Sequence, residues 1–267
     1  MLPKVIIIGT MKGGTSALFR YLSSHNEMVG SQVKETNYFC KKEFFSKGIE
    51  WYESLFWGEG NIAFEASPAY TKRHLYPGTA ERLHTALPDA KLIYLLRDPV
   101  SRAVSHYSHD VLKGKVTKDL SEALRLDDNY VKTSSYFYQI EAYLERFDPA
   151  QILLLQSERL RNDRDAAMNE ISRFIGIEPD FDPNVVDQDY HVTKERRKTT
   201  RIEYHLWPYF NHRYINKVFK SIFVPLRTPF EPPKLSEEDR DMLREKLSPD
   251  IEKLRGLTGK EFKGWQV

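Results

Sequence analysis

Four short apolar runs recur along this chain of 267 residues, at intervals that leave room for a helix between them. Each run is apolar on successive residues, which is the pattern of a strand buried on both faces. The runs are KVIIIGT at 4–10, NIAFEAS at 61–67, KLIYLLRD at 91–98 and QILLLQSE at 151–158. Doubly buried strands are typical of a parallel sheet, so the chain is limited to folds in which helices cover both faces of a sheet.

Helical patterns lie between and after these runs. They predict helices at 15–24, 79–87, 99–113, 135–147, 163–175 and 236–255. Pro99 stands at a first-turn position, and Ser236 is a candidate N-cap with Glu238 and Asp239 in the following turn. Alternating strands and helices predict an α/β fold with three layers, α/β/α, and a central parallel sheet with right-handed crossovers.

The segment at 182–234 interrupts the alternation. It is rich in proline, aromatic and basic residues, with YHVTKERRKTTR at 190–201 in its middle. A long irregular stretch is uncommon in a compact domain and often covers a site. Since no repeat or linker is found, we expect a single domain over 1–267 with a lid-like segment at 182–234.

Charge and cysteine content bear on partners and compartment. Lys plus Arg number 40 and Asp plus Glu 38, so the net charge of +2 gives no support for a nucleic-acid partner. The one cysteine, Cys40, leaves no internal disulfide and fits a reducing compartment. The apolar run before Gly9 is shorter than the roughly 7–15 residues of a secretory signal, and no run approaches the ~20 of a membrane helix. We therefore expect a cytoplasmic protein without membrane insertion.

The first run continues into GTMKGGTS at 9–16, which is close to a Walker A loop. Gly9 and Gly14 have the Walker spacing and Ser16 is in place, but Thr15 occupies the lysine position and Lys12 comes early. A glycine-rich turn between a strand and a helix presents backbone N–H groups to an anion, which predicts a P-loop-like phosphate site. The alternative is a tight turn that merely needs glycine.

A second anion site is indicated at the end of the run at 91–98. Phosphate-loop NTPases hold Mg²⁺ with the loop Ser/Thr and an Asp at a second strand end. Here that strand ends in Arg97, followed by Asp98, and an arginine opposes a metal and favours another anion. Two phosphate groups without a metal are therefore expected. The alternative is an Arg97 paired with Asp98 or Glu65.

Two motifs together resemble a known family. IIIGTMKGGTSAL at 6–18 is similar to the 5′-phosphosulfate loop of the sulfotransferases that use PAPS (3′-phosphoadenosine 5′-phosphosulfate), and LIYLLRDPVSRAVSHY at 92–107 resembles their 3′-phosphate-binding strand, turn and helix. The resemblance implies PAPS as co-substrate, PAP (adenosine 3′,5′-bisphosphate) as product, and no metal. It implies nucleotide contacts from Lys12, Gly13, Gly14, Thr15 and Ser16 in the loop and from Arg97 and Ser105 at the 3′-phosphate. Ser105 could also be an ordinary helix serine.

Further segments resemble one branch, the heparan sulfate sulfotransferases. They are VKETNYF at 33–39, EASPAY at 65–70 and SPDIEKLRGLTGKEFKGW at 248–265. That branch has a disulfide-bounded loop, which a single cysteine rules out; KERRKTT at 194–200 is interpreted as its remnant, with Lys194 and Arg196 over the nucleotide. The branch's membrane anchor and secretory context are also missing. The chain thus looks like a soluble, bacterial-type relative, to which a heparan-like substrate does not carry over.

Sulfuryl transfer needs charge stabilisation and a base. The resemblance implies that Lys12 stabilises the leaving phosphate and that Glu35 is the general base, provided that burial raises its pKa. The alternatives are a solvated loop lysine and a surface Glu35 paired with Lys34. Histidine is the base in other branches, and three histidines are further candidates, each with a packed or solvated alternative: His106, His109 and His191.

Several residues keep two interpretations. Arg102 is expected to form a structural ion pair, whereas Lys34 and Lys72 could meet an anionic acceptor or the sulfate, or simply be solvated. One set of aromatic residues could line an acceptor cleft or pack in the core: Tyr136, Phe137, Tyr138, Trp207, Tyr209 and Phe210.

Three functions follow in order of support. The first is a PAPS-dependent sulfotransferase that acts on a hydroxyl or amine of a small-molecule, carbohydrate or carrier-bound acceptor. The second is a divergent P-loop kinase or NTPase, disfavoured by the position of Lys12 and the lack of a clear Mg²⁺-binding Asp. The third is a non-catalytic nucleotide-binding module, disfavoured because both Lys12 and Glu35 are intact.

Overall fold

A five-stranded parallel sheet forms the centre of the protein. The computed structural model describes residues 1–186, 197–210, 219 and 221–267, with the backbone alone at 186 and 207–210. The strands are β1 Val5–Gly9, β2 Met28–Gly30, β3 Ile62–Ala66, β4 Lys91–Leu96 and β5 Ile152–Gln156. Their order in the sheet is β2-β3-β1-β4-β5, and every pairing is parallel. β1 therefore lies between β3 and β4.

Helices follow most strands and account for much of the remaining described chain. They are α1 Thr15–Ser23, α2 Lys42–Phe45, α3 Ile49–Glu53, α4 Thr79–Ala86, α5 Pro99–Leu112, α6 Leu120–Leu126, α7 Asn129–Lys132, α8 Tyr136–Leu144, α9 Arg159–Asn162, α10 Arg164–Ile175, α11 Pro183–Val186, α12 Arg201–Phe210 and α13 Glu237–Thr258. A 3₁₀ turn, Pro68–Thr71, directly follows β3. None of the described helices is both long and apolar enough to cross a membrane.

The core has two main parts, one on each face of the sheet. Alternate residues of β1 divide between them: Ile6 and Ile8 belong to the cluster shared with α4, α8 and α13, whereas Val5 and Ile7 belong to the cluster shared with α1 and α10. All four side chains are at most 1% exposed. The sheet is thus buried on both faces, and the predicted three-layer α/β/α fold is confirmed.

The predicted elements agree with the structure to within about three residues at their ends. All four predicted strands and all six predicted helices are present, and the Ser236 hydroxyl caps α13 by accepting from the Asp239 amide at 3.1 Å. The sequence reading missed β2, whose three residues are too short for a recognisable pattern. It also missed all five described helices of four or five residues, as well as α6 with seven residues and α12 with ten.

The described parts of the segment at 182–234 contain regular structure. Besides α12, they include β6 Arg197–Lys198, paired antiparallel with β7 Thr228–Pro229. The buried Glu203 carboxylate on α12 forms an ion pair with Arg227, which ties the helix to the residue before β7. Lys194 and Arg196 lie outside the described residues, so their predicted nucleotide contacts stay predictions.

Replacement of a central core residue tests the importance of the buried sheet. Ile93 on β4 is fully buried in the cluster with α1 and α10. We expect Ile93→Ala to lower the free energy of unfolding by about 2–5 kcal/mol, because a cavity replaces the lost side chain. Ile202→Ala, at a position that is 65% exposed, is the matched control and should change it by about 0.5 kcal/mol or less. Urea unfolding measures both, and similar losses would contradict this account of the core.

Candidate active site

The loop after β1 is shaped to bind an anion at the start of α1. Gly14 occupies the N-cap with φ of 94°, a left-handed conformation that glycine adopts without strain. A Cβ on Gly13 would lie 3.1 Å from the Leu95 carbonyl oxygen and closer still to Thr10, so this position needs glycine for close packing. Among the residues that the structure describes, no side chain caps α1, and its first turn contains no acid. The first amides of α1 therefore lie at a helix N-terminus of the kind that binds anions, as the sequence predicts.

Lys12 lies on this loop, half-buried, with a left-handed backbone at φ of 70°. That conformation is uncommon for a residue with a Cβ and costs on the order of 1–2 kcal/mol. The Lys12 carbonyl oxygen accepts a hydrogen bond of 3.2 Å from Nη1 of Arg97, which helps to hold this turn. The strained turn thus presents a lysine beside the amides of α1.

Arg97 joins the two turns that the sequence predicts to bind phosphate. It follows β4, which is the neighbour of β1 in the sheet, so both turns lie at one edge. Its own carbonyl oxygen accepts from the Tyr136 hydroxyl at 2.7 Å, and burial lowers the pKa of its guanidinium. Glu65 and Asp98, the alternative partners, are hydrogen-bonded to other groups. Arg97 therefore adds a positive charge to the phosphate loop.

Asp98 has a structural role that uses both of its carboxylate oxygens. Oδ1 accepts from the Ser101 amide at 2.7 Å and so caps α5. The Gln266 side chain donates to Oδ1 at 2.8 Å, and its backbone amide donates to Oδ2 at 2.6 Å. This acid thus ties the C-terminal segment to the start of α5.

The described residues contain no group of three or more His, Cys, Asp or Glu side chains arranged for a metal ion.

The other predicted nucleotide contacts lie on the same two elements. Thr15 is buried and Ser16 exposed in the first turn of α1. Ser105 lies half-buried in the second turn of α5, on the helix that begins just after Arg97. Their contacts with a nucleotide stay predictions.

Glu35 occupies a loop between β2 and α2 and adopts a left-handed backbone with φ of 63°. Its side chain is 49% exposed and forms a 2.6 Å ion pair with Lys34. The assumption that the Glu35 carboxylate is buried is therefore wrong, because half of this side chain is in contact with solvent. A role as base would need a bound substrate to cover it.

Lys72 is half-buried and lies close to the phosphate loop. It follows the 3₁₀ turn whose last residue, Thr71, packs against the start of the phosphate loop: a Cβ on Gly9 would overlap the Thr71 hydroxyl. Burial, and next the positive charge of Arg102, lower the pKa of Lys72 to about 8, while Asp110 and Glu35 oppose this shift. Within the described part of the chain its ammonium has no hydrogen-bond acceptor or ion pair.

The histidines of α5 are neutral in this environment. His106 is 2% exposed, contacts Nη1 of Arg102 at 3.3 Å and lies 3.5 Å from an Asp110 oxygen. Burial lowers its pKa strongly, so it is a packed histidine rather than a base. Burial also lowers the pKa of His109 to about 3, with Lys12 as the next cause. His109 thus lies within the electrostatic influence of Lys12, whereas His191 lies outside the described residues.

Arg102 is structural, but not through an ion pair. Its fully buried guanidinium donates to the Ser134 hydroxyl at 2.6 Å and to the Tyr130 carbonyl oxygen at 2.5 Å. Among the described residues it has no carboxylate partner within ion-pair distance, so the expected ion pair is wrong. After burial, its positive charge is the next largest cause of the lowered pKa values of Lys72 and His106.

The predicted aromatic set divides between core and surface. Tyr136 is fully buried and packs edge-to-face on Tyr94, so it does not line a cleft. Phe137 is partly buried against the core, and Tyr138 is 36% exposed with the Arg73 guanidinium over its ring. The side chains of Trp207, Tyr209 and Phe210 lie outside the described residues.

Comparison with known families agrees with this geometry. The family model of the Sulfotransferase domain matches residues 2–217. The chain therefore belongs to the sulfotransferase domain family. The predicted family resemblance is thus confirmed.

Individual relatives include the branch that the motifs indicated. The mouse heparan sulfate glucosamine 3-O-sulfotransferase 5 is 33% identical over 193 residues, which cover 67% of this chain and 54% of that protein. The membrane-associated sulfotransferase kil1 of Dictyostelium discoideum is 42% identical over 115 residues, covering 41% of this chain and 23% of that protein. The chain spans about half the length, or less, of these curated relatives.

A solved structure shows the same fold over the full length. The sulfotransferase from Alicyclobacillus acidocaldarius superposes with a TM-score of 0.72 at 23% identity and covers 100% of both chains. The retinol dehydratase solved with retinol and PAP has a TM-score of 0.51 at 12% identity, covering 94% of this chain and 82% of that one. At these low identities, both comparisons are evidence for the fold alone.

The structural role of Asp98 can be tested by mutation. Asp98→Ala should lower the free energy of unfolding by about 2–4 kcal/mol, because it removes a helix cap and the acceptor of the Gln266 backbone amide, and leaves the Gln266 side chain with the Ser101 hydroxyl alone as acceptor for its NH₂ group. Asp241→Ala is the matched control, since this side chain is 70% exposed and pairs with Arg244 one turn away. Urea unfolding compares the two, and equal losses would refute the structural role.

Proposed function

We propose that this protein is a sulfotransferase that moves the sulfuryl group of PAPS to an acceptor hydroxyl. The observation that carries the proposal is the hydrogen bond between Arg97 and the Lys12 carbonyl, since it joins two anion-binding turns beside adjacent strand ends. Two turns with positive charge suit a nucleotide with two separate phosphate groups. The 5′-phosphosulfate would bind at residues 12–16, and the 3′-phosphate at Arg97 and Ser105.

The chemistry is an in-line displacement at sulfur. The acceptor oxygen forms a bond to sulfur while the bond from sulfur to the bridging phosphate oxygen breaks, which leaves PAP. Lys12, on the loop, would stabilise the charge that develops on that oxygen. Glu35 takes the acceptor proton, and the bound acceptor would cover this half-exposed carboxylate. Lys194 and Arg196 remain proposed contacts on the nucleotide.

Lys72 is proposed as a second cation for the transferring group. It lies within electrostatic range of Glu35, and its backbone is held on both sides. On one side Thr71 packs against Gly9, and on the other the Arg73 amide donates to the Gln139 side chain at 2.7 Å. The Lys72 ammonium thus extends from a well-held backbone and has no ion-pair partner in the described chain. Such a group is well suited to stabilise negative charge on a substrate.

The structure supports this function over a kinase or NTPase. A phosphate-loop NTPase needs a carboxylate to help to hold Mg²⁺ near the loop. Asp98, the acid in the corresponding place, accepts hydrogen bonds from Ser101 and Gln266 at both of its oxygens. No contact among the described residues therefore favours a kinase or an NTPase.

For the acceptor we propose a sugar hydroxyl. The support is the matched relatives, which include a glucosamine 3-O-sulfotransferase. A screen with ³⁵S-labelled PAPS would distinguish this acceptor from an amine, a phenol or a carrier-bound alcohol.

We propose a cytoplasmic location on the ground that the single cysteine, Cys40, is buried and unpaired.

A thermal-shift experiment tests the nucleotide. We expect PAP without Mg²⁺ to raise the melting temperature by several degrees, since binding to the folded state alone stabilises it. ATP with Mg²⁺ should produce little shift. The opposite result would refute the sulfotransferase proposal and support an NTPase.

Mutation of Lys12 tests the assigned catalytic role. Lys12→Ala should lower transfer from ³⁵S-PAPS to glucosamine oligosaccharides by at least about 100-fold, because the developing charge on the leaving phosphate loses its partner. The dissociation constant of PAP should change less, by about 10-fold or less. Lys246→Ala, an exposed position on α13, is the control. Wild-type turnover in Lys12→Ala would contradict the role.

The titration of Lys72 predicts an alkaline limit to activity. Its ammonium is protonated below its lowered pKa of about 8 and neutral above it, so kcat/KM should fall as the pH rises through about 8. The groups that face it are Arg102, Asp110, Lys115 and Glu35, together with His106 and His109. A bound phosphosulfate should raise this pKa, so the limit in kcat should lie at higher pH. Lys72→Arg should remove the limit; an unchanged profile in that variant would disprove this role of Lys72.

A further inference from the structure

The buried carboxylate of Glu65, at the end of β3, accepts four hydrogen bonds from hydroxyl groups. Oε1 accepts from Tyr52 at 2.5 Å and from Tyr70 at 2.8 Å. Oε2 accepts from Thr36 at 2.6 Å and from Ser67 at 2.7 Å. The side chain is fully buried, and although burial raises its pKa, the four donors favour the ionised form. Short bonds of this kind are typical of an ionised acceptor.

Three of these hydroxyls also hold the loop that follows Glu35. The Thr36 hydroxyl accepts from the Tyr38 amide at 3.3 Å, and the Ser67 hydroxyl accepts from the Asn37 amide at 3.1 Å. The Tyr70 hydroxyl accepts from the Phe39 amide at 3.4 Å. The amides of residues 37–39 thus donate to three hydroxyl oxygens. Each of these hydroxyls in turn donates its own proton to Glu65.

All four hydroxyls donate to Glu65 because an ionised carboxylate accepts hydrogen bonds and has no proton to donate. Each hydroxyl has one proton, and donating it to Glu65 leaves its lone pairs for the loop amides. A glutamine at this position would present an NH₂ group to two of the hydroxyls. Their protons would then lack an acceptor while the shape of the side chain stayed nearly the same.

The loop needs this support because its own backbone is strained. Glu35 and Asn37 both have left-handed backbones, with φ of 63° and 53°. The Asn37 side chain donates to the Glu35 carbonyl oxygen at 2.8 Å, which links the two strained residues directly. Since the Glu35 side chain is half-exposed, its direction depends on this backbone rather than on packing around the carboxylate.

We infer that Glu65 is a positioning residue for sulfuryl transfer, which sets the direction of Glu35 through the hydroxyls of Thr36, Ser67 and Tyr70. Glu65 does not touch the reacting atoms. The inference rests on the proposed function, because that function assigns the role of base to Glu35. It adds that a second, buried glutamate controls where this base lies.

A double-mutant cycle tests the inference. Glu65→Gln, Glu35→Gln and the double variant are assayed with ³⁵S-PAPS and glucosamine oligosaccharides, with sulfate release to water as a second readout. Glu65→Gln should lower kcat by about 100-fold, the effect of a misplacement of about 1 Å, with the dissociation constant of PAP changed less than about threefold. In the Glu35→Gln background it should lower kcat by less than about twofold, because the misplaced base is already absent.

Controls separate positioning from folding. Tyr143→Phe removes another fully buried hydroxyl, which donates to the Tyr70 carbonyl oxygen and not to Glu65, and should leave kcat within about twofold. If Glu65→Gln lacks a cooperative urea transition, Thr36→Val carries the same cycle, with an expected loss of about 10-fold.

The possible outcomes are distinct. Unchanged kcat in Glu65→Gln, or equal losses in both backgrounds, would overturn the inference while the sulfotransferase proposal stood. Full activity of Glu35→Gln with PAP binding intact would overturn the assignment of the base and this inference with it. Failure of the wild-type protein to bind PAP would instead refute the proposed function.

Discussion

The parallel pairing of β1 with β4 is the constraint on which the site depends. Their register places Gly9, the last residue of β1, opposite Tyr94 near the end of β4. Both strands therefore deliver their following turns to one edge of the sheet, where ligands of open α/β folds bind. Lys12 and Arg97 come within hydrogen-bonding distance although 85 residues separate them along the chain. A different strand order would leave two unconnected loops.

The acidic residues of this region are used by the scaffold, and this determines the charge of the site. Asp98 binds Ser101 and Gln266, and Glu65 binds four hydroxyls. Lys12, Lys72 and Arg97 remain at the edge of the sheet where the phosphate loop lies. A site with cations, and with its nearby carboxylates engaged elsewhere, favours an anionic substrate over a metal-bound one. Burial, and after it these positive charges, lower the pKa values of Lys72 and of the histidines of α5.

Much of the fold and part of the site could be predicted from local pattern. The strands and long helices follow from hydrophobic periodicity, and the phosphate loop follows from its glycines and the helix after it. The errors concern residues whose environment is made by distant parts of the chain. The role of Glu35 as base assumed burial, yet this side chain is half-exposed and paired with Lys34. Arg102 was expected to pair with an acid and instead binds Ser134 and the Tyr130 carbonyl. The burial of Lys72 has no signal in its neighbours along the chain.

The sequence by itself determined the class of fold, the glycine-rich turn before α1 and the family, because each depends on residues that are close together along the chain. Only the tertiary structure decided which charges meet. The sheet order brings Arg97 to Lys12, the C-terminal segment occupies Asp98, and four hydroxyls from 36–70 converge on Glu65. The physical reason is that burial and hydrogen-bond partners depend on three-dimensional neighbours, and these decide whether a charged side chain supports the scaffold or faces a substrate.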